Sequence, residues 1–157
     1  KTLSSLLIRS ITLKAQYNEL PKPTLIIVDE AHNIFDTRSP LSMLVAEVRK
    51  WSLGFIIATQ APSMISPTVI KNTNTKIVHA LKSSQDINSV LAAIPSRRNL
   101  TQIVSSLKPG EALIALPELS IPLLIKIDMS ILEDQKHLNI SETKFHNEER
   151  CIVYKRS

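Results

Sequence analysis

The chain has 157 residues, of which 43% are hydrophobic, 21% charged and only 4% aromatic, and it carries a net charge of +5. That length holds one domain with an aliphatic core, and the composition excludes disorder throughout. These residues contain no run of about 20 apolar side chains, which excludes a membrane-spanning helix, and the lone Cys151 cannot close an internal disulfide, which points to a reducing, cytoplasmic setting.

The elements read in order from the amino end. Leu3, Leu6, Leu7 and Ile11 recur at helical spacing, so a helix is expected over residues 3–17. Pro21 and Pro23 then break the chain. Leu25-Ile26-Ile27-Val28 is a continuous aliphatic run, the pattern of a strand buried on both faces. Ser39-Pro40 places a capping residue before a first-turn proline, and Leu41, Leu44, Val45 and Val48 supply the apolar stripe of the helix that follows. Residues 53–59 predict a second buried strand, followed by a loop holding Pro62 and Pro67. Thr75 to Leu81 predicts a third strand, and residues 84–94 and 98–107 predict helices parted by Pro95. Lys108-Pro109-Gly110 marks a turn, and Glu111–Leu116 and Ile121–Asp128 predict two strands of a hairpin. Strands alternating with helices make this an α/β fold, with a mostly parallel sheet flanked by helices and an antiparallel edge hairpin. The polar, weakly patterned segment 129–157 is set apart from the 1–128 body as a tail, and the basic excess belongs to the body. Such an excess permits a polyanionic partner without requiring one.

In sheets of this kind, ligands gather at the carboxyl ends of the strands. Asp29 and Glu30 emerge at the end of the first strand. An aspartate there can hold Mg²⁺ through water, and a neighbouring carboxylate can orient an attacking water. This is the form of a Walker B motif; the plainer reading is a strand that ends in a polar loop. Ala58-Thr59-Gln60 ends the second strand, and Gln60 would sit beside the carboxylates if the two strands are neighbours. Its amide can orient a water or sense a γ-phosphate. Arg49 and Lys50 close the intervening helix, where cations are favourable through the helix dipole or available to a neighbouring subunit. Lys71, Lys76, Lys82, Arg97 and Arg98 are candidates for phosphate contacts to nucleic acid, or simply solvated cations, and no aromatic residues interleave them for base stacking.

The blocks Leu25–His32, Val48–Gly54 and Ala58–Ser63 resemble the HerA/FtsK superfamily of ring-forming P-loop ATPases, as do Asn72–Val78 and Lys108–Ala112. The likeness is nearest to HerA-type helicases that move DNA, and it spans about residues 3–128. It implies the carboxyl-terminal portion of a RecA-like fold, with ATP and Mg²⁺ as cofactors and a homo-oligomeric ring acting on DNA. By position, Asp29 resembles the Mg²⁺-coordinating aspartate, Glu30 the catalytic glutamate and Gln60 the polar sensor. Arg49, with Lys50 beside it, resembles the basic residue offered across a subunit interface. His32 occupies a position variable in the family, where a packing or solvent-facing role is expected. Asp29-Glu30-Ala31-His32 also spells the box of another helicase superfamily, but Ala58-Thr59-Gln60-Ala61-Pro62 is not that superfamily's partner motif. Two departures stand out. Gly54 and Gly110 are the only glycines, too far apart to write a G-x-x-x-x-G-K-[ST] loop. His79-Ala80 follows the Thr75–Val78 stretch where the family often has an arginine. The resemblance therefore implies a missing amino-terminal half with the Walker A loop, and a sheet left with a gap beside the strand that ends at Gln60. A motor of conjugation, type IV secretion or genome packaging is the alternative within the superfamily. A non-catalytic module that binds DNA or a full-length ATPase is the alternative outside it.

Overall fold

The structure, a computed structural model, describes residues 2–96 and 99–127. Residues Lys1–Lys126 form one compact unit. The tail expected over 129–157, Cys151, Arg97 and Arg98 lie outside the described residues. Among the described residues, no helix is long and apolar enough to cross a membrane.

Helix α1 (Thr2–Gln16) opens the chain. It ends where Asn18 takes a left-handed backbone (φ 58°), a conformation asparagine tolerates at helix ends. Strand β1 (Thr24–Val28) follows. The connection to β2 (Leu53–Ile57) begins with a short 3₁₀ turn, Ala31–Asn33. The helix expected from Ser39-Pro40 is present in segments: a 3₁₀ turn Pro40–Met43, one α turn α2 (Leu44–Glu47) and a 3₁₀ turn Val48–Trp51. Ser39 caps it as expected, its hydroxyl accepting from the Leu41 amide at 3.3 Å. Past β2 come the 3₁₀ turn Pro62–Met64, helix α3 (Pro67–Asn72) and strand β3 (Lys76–Val78). Helices α4 (Ser84–Leu91) and α5 (Thr101–Ser106) lead to β4 (Glu111–Ala115) and β5 (Leu123–Lys126).

β1 and β2 pair in parallel, with Leu25 opposite Gly54 and Ile27 opposite Ile56. β3, β4 and β5 form a separate antiparallel sheet in that order. The expectation of one mostly parallel sheet is corrected here: only β1 and β2 run parallel among the described residues, and β2 does not pair with β3. The β4–β5 hairpin is antiparallel as expected, its connection being too short for a crossover. The expected loop through Pro67 is also corrected, because Pro67 starts α3: proline at the first helical position removes a donor that has no partner there anyway.

Each sheet has its own core. Ile26, Val28, Phe55 and Ile57 pack with Ile8, Phe35, Leu41, Val45, Ile65 and Val69. Phe35 and Phe55 meet edge to face, ring centres 5.8 Å apart. Val78, Leu113 and Ala115 pack with Ile87, Ile94, Leu100 and Val104. Parts of the opposite faces are bare. Leu25 is 57% exposed, Ile27 62% and Ile56 48% on one sheet, and Ile77 is 60% exposed on the other. β1 is thus buried on one face, not on both as its aliphatic run predicts.

Candidate active site

Parallel pairing carries on beyond the strand ends. The Ala58 amide donates to the Val28 carbonyl and the Ala31 amide to the Ala58 carbonyl, both at 2.9 Å. These two bonds set residues 29–31 beside 58–60. Glu30 takes a left-handed backbone (φ 49°, ψ 44°), unusual for a residue with a long side chain. Strain of this kind persists where the surroundings impose it, and it concentrates at functional sites. Here it turns the chain sharply into the Ala31–Asn33 turn while the ladder bonds hold the backbone on either side.

The side chains converge. Gln60 Nε2 donates to Glu30 Oε1 at 2.9 Å. Asp29 is exposed, and its Oδ1 accepts from the Glu30 amide at 2.9 Å. His32 Nδ1 lies 3.2 Å from Thr59 Oγ1 and 3.4 Å from Glu30 Oε2. Thr59 Oγ1 also accepts from the Ala61 amide at 3.1 Å, so the hydroxyl ties the turn after β2 to the imidazole. Two carboxylates, an amide, an imidazole and a hydroxyl therefore share one edge of the parallel pair. They can accept from a water, donate to an anionic oxygen and offer hard oxygen ligands. Among the described residues, no three His, Cys, Asp or Glu side chains cluster as a metal cage. The donor chemistry still fits Mg²⁺, which is commonly held by one or two carboxylates together with substrate phosphates and water.

The structure brings Asp29, Glu30 and Gln60 together and sets the other expected residues apart. Arg49 and Lys50 are exposed in the turn that feeds the amino end of β2, with the carboxylates at the carboxyl ends of the strands. A five-residue strand separates the two edges by about 16 Å. Lys71 is exposed at the end of α3. Lys76 is half-buried, its Nζ donates to the Thr73 carbonyl at 2.6 Å, and burial pushes its pKa below the ordinary lysine value. Lys82 Nζ donates to the Ser105 carbonyl at 2.6 Å.

Sequence reasoning did not single out Thr59 or Asp86. Thr59 stood inside the quoted Ala58-Thr59-Gln60 block, so its place was in view while its partner was not. Asp86 lies in the first turn of α4, and its Oδ1 accepts from the Ser63 amide at 3.0 Å. The Ser63 hydroxyl bond is the main cause that holds its carboxyl below the ordinary range. It links α4 to the turn just after Gln60, across 23 residues of sequence.

No protein-family model matches the chain. Among curated proteins it is similar to the probable DNA double-strand break repair helicase HerA of Methanocaldococcus jannaschii, 30% identical over 123 residues, which cover 74% of this chain and 24% of that protein. It is also similar to the DNA double-strand break repair helicase HerA of Pyrococcus furiosus, 29% identical over 123 residues, covering 73% and 22%. The chain thus spans about a quarter of the length of these relatives. Among solved structures it is similar to the genome packaging NTPase B204 of Sulfolobus turreted icosahedral virus 2 in complex with ATP-gammaS, with TM-score 0.66, 20% identity, and coverage of 82% of this chain and 62% of that one. It is likewise similar to VirB4 of Thermoanaerobacter pseudethanolicus, with TM-score 0.58, 19% identity, and coverage of 73% and 33%. At these identities the structural likeness is one of fold, the fold of P-loop ATPases.

Proposed function

As a member of the HerA/FtsK superfamily of P-loop ATPases, this chain, we propose, supplies the hydrolytic edge of a HerA-like, DNA-translocating motor with a RecA-like core. The observation that carries the reading is the 2.9 Å bond between Gln60 and Glu30 at the carboxyl ends of neighbouring parallel strands, with Asp29 adjacent. Glu30 acts as general base and orients the attacking water. Gln60 holds Glu30 and is close enough to exchange that bond for one to a γ-phosphate oxygen. Asp29 would hold Mg²⁺ through water, and the metal, when bound, offsets the charge that develops on the phosphates. Arg49 lies at the far edge of its own strands, and this supports a role on a neighbouring subunit's nucleotide in a ring. Lys71, Lys82, Arg97 and Arg98 are proposed to meet DNA through its phosphates without reading sequence. Lys76 is the weakest of that set, because its ammonium is already bound to a carbonyl.

The phosphate-gripping loop must come from residues outside this sequence, since two glycines cannot write it. Two features support completion by a separate Walker A half. Among the described residues β2 and β3 each have an edge without a strand partner, and aliphatic side chains of both sheets are exposed to water. Both are costly in isolation, and a further strand with covering helices would satisfy them together. The lone cysteine is in keeping with a cytoplasmic setting.

The test mixes this chain with a Walker A-bearing half of a HerA-type ATPase and measures Mg²⁺-dependent ATP hydrolysis. The expected result is turnover that neither piece shows alone and that disappears in Glu30→Gln. Turnover that persists in Glu30→Gln rules out Glu30 as the base. A chain that adds nothing to the Walker A half favours the non-catalytic module.

A further inference from the structure

We infer that His32 is a positioning residue for Glu30, fixing the carboxylate from the side opposite Gln60. The inference rests on the reading of Glu30 as general base. The imidazole bridges the two strand ends: its Nδ1 lies 3.4 Å from Glu30 Oε2 on the β1 side and 3.2 Å from Thr59 Oγ1 on the β2 side. Glu30 Oε1 is taken by Gln60 at 2.9 Å, so each oxygen of the carboxylate has a neighbour of its own. A glutamate that is 44% exposed at its side chain would otherwise sample several rotamers, and a general base works only when aimed.

Ala31, Ile34 and Phe35 from the same turn join the hydrophobic core. The His32 side chain is only 19% exposed, and its polar neighbours are Glu30 and Thr59. In the Nδ1–H tautomer the ring turns a proton toward the Glu30 carboxylate 3.4 Å away; in the other, Nδ1 accepts from the Thr59 hydroxyl at 3.2 Å, and the positioning role requires the first. Thr59 holds the ring in register, since its hydroxyl is itself anchored by the Ala61 amide. His32 touches no reacting atom in this account; it acts through Glu30, as outer partners of a catalytic group commonly do.

Asparagine places its amide nitrogen near the position of Nδ1, and glutamine reaches toward that of Nε2. This gives the role a signature that mere folding would not. The first arm records long-range ¹H–¹⁵N spectra of the 157-residue chain, with His79 as internal reference because its Nδ1 lies 3.1 Å from a backbone carbonyl. The His32 Nδ1 signal is expected to move in Glu30→Gln and in Thr59→Val while that of His79 stays. A His32 signal unmoved by Glu30→Gln overturns the inference without any activity assay. The second arm uses the reconstituted ATPase. His32→Ala is expected to lower kcat about tenfold with KM for ATP unchanged, within the range for outer-partner substitutions. His32→Asn is expected to recover most of the loss and His32→Gln little of it. Equal kcat in His32→Ala and wild type, or equal losses in His32→Ala and His32→Asn, overturns it. Hydrolysis that survives Glu30→Gln refutes the catalytic reading, while the Nδ1 signal still decides the contact.

Discussion

β1–β2 and β3–β4–β5 each pack against helices and leave some aliphatic side chains exposed, and the parallel pair brings Asp29, Glu30, Thr59 and Gln60 together just past its two strand ends. The cause lies in chain direction. Parallel neighbours finish at the same edge, so the residues that follow them meet; that is how Asp29 and Glu30 come to stand beside Thr59 and Gln60. Antiparallel neighbours finish at opposite edges, so the residues after β3 and β4 are carried apart. On the proposed reading the parallel pair provides the chemistry and the antiparallel sheet provides structure.

The sharpest way to break that contrast is to remove a carboxylate from each sheet. In the reconstituted ATPase, Glu30→Gln should reduce turnover by about 10²- to 10⁴-fold, the span of general-base contributions. Glu111→Gln, which alters a carboxylate whose Oε2 accepts from the Lys108 amide at the start of β4, should leave turnover unchanged. A comparable loss from Glu111→Gln would dissolve the division of labour.

The next contrast is between the covered and bare faces. Phe35 is fully buried and Leu113 nearly so, and urea unfolding of Phe35→Ala and Leu113→Ala should show losses of about 3–5 and about 2–5 kcal/mol. Ile27→Ala and Ile77→Ala, on the exposed faces, should change the isolated chain by about 0.5 kcal/mol or less. Costs at Ile27 that match those at Phe35 would mean that the bare face is covered in solution. Ile27→Lys with Ile56→Lys sharpens the same point: the chain should stay folded yet fail to join a Walker A half in sedimentation.

The smallest expected effect concerns the contact between α4 and the turn after Gln60. The Asp86 carboxyl is held below its ordinary pKa in the folded chain, chiefly by the Ser63 hydroxyl. Its contribution to stability is therefore complete above the ordinary carboxylate range and is lost as pH falls through the lowered folded value. Stability followed against pH should fall less on the acid side in Asp86→Asn than in the wild-type chain.

Much of the parallel half was legible in the sequence because its signals are local. Four aliphatic residues followed by Asp29-Glu30, and a second aliphatic run followed by Thr59-Gln60, give both strands and the edge where they end. What a linear pattern cannot carry is which faces find cover. Leu25 and Ile27 read as buried because they are aliphatic, and burial depends on what packs over the strand, which the run of residue types does not specify. Pro67 read as a loop residue because proline both breaks helices and begins them. His32 read as a packing or solvent-facing residue because its partners depend on the left-handed backbone of Glu30. Asp86 escaped notice because its partner, Ser63, is 23 residues away.

The most direct test of the central claim is paramagnetic broadening by Mn²⁺–ATP in the complex of this chain with a Walker A half, read on the chain's own backbone amide signals. The account predicts broadening confined to residues 29–32 and 58–61, with β3, β4 and β5 left sharp. Broadening centred on the antiparallel sheet, or none on the chain while the Walker A half binds nucleotide, would contradict it.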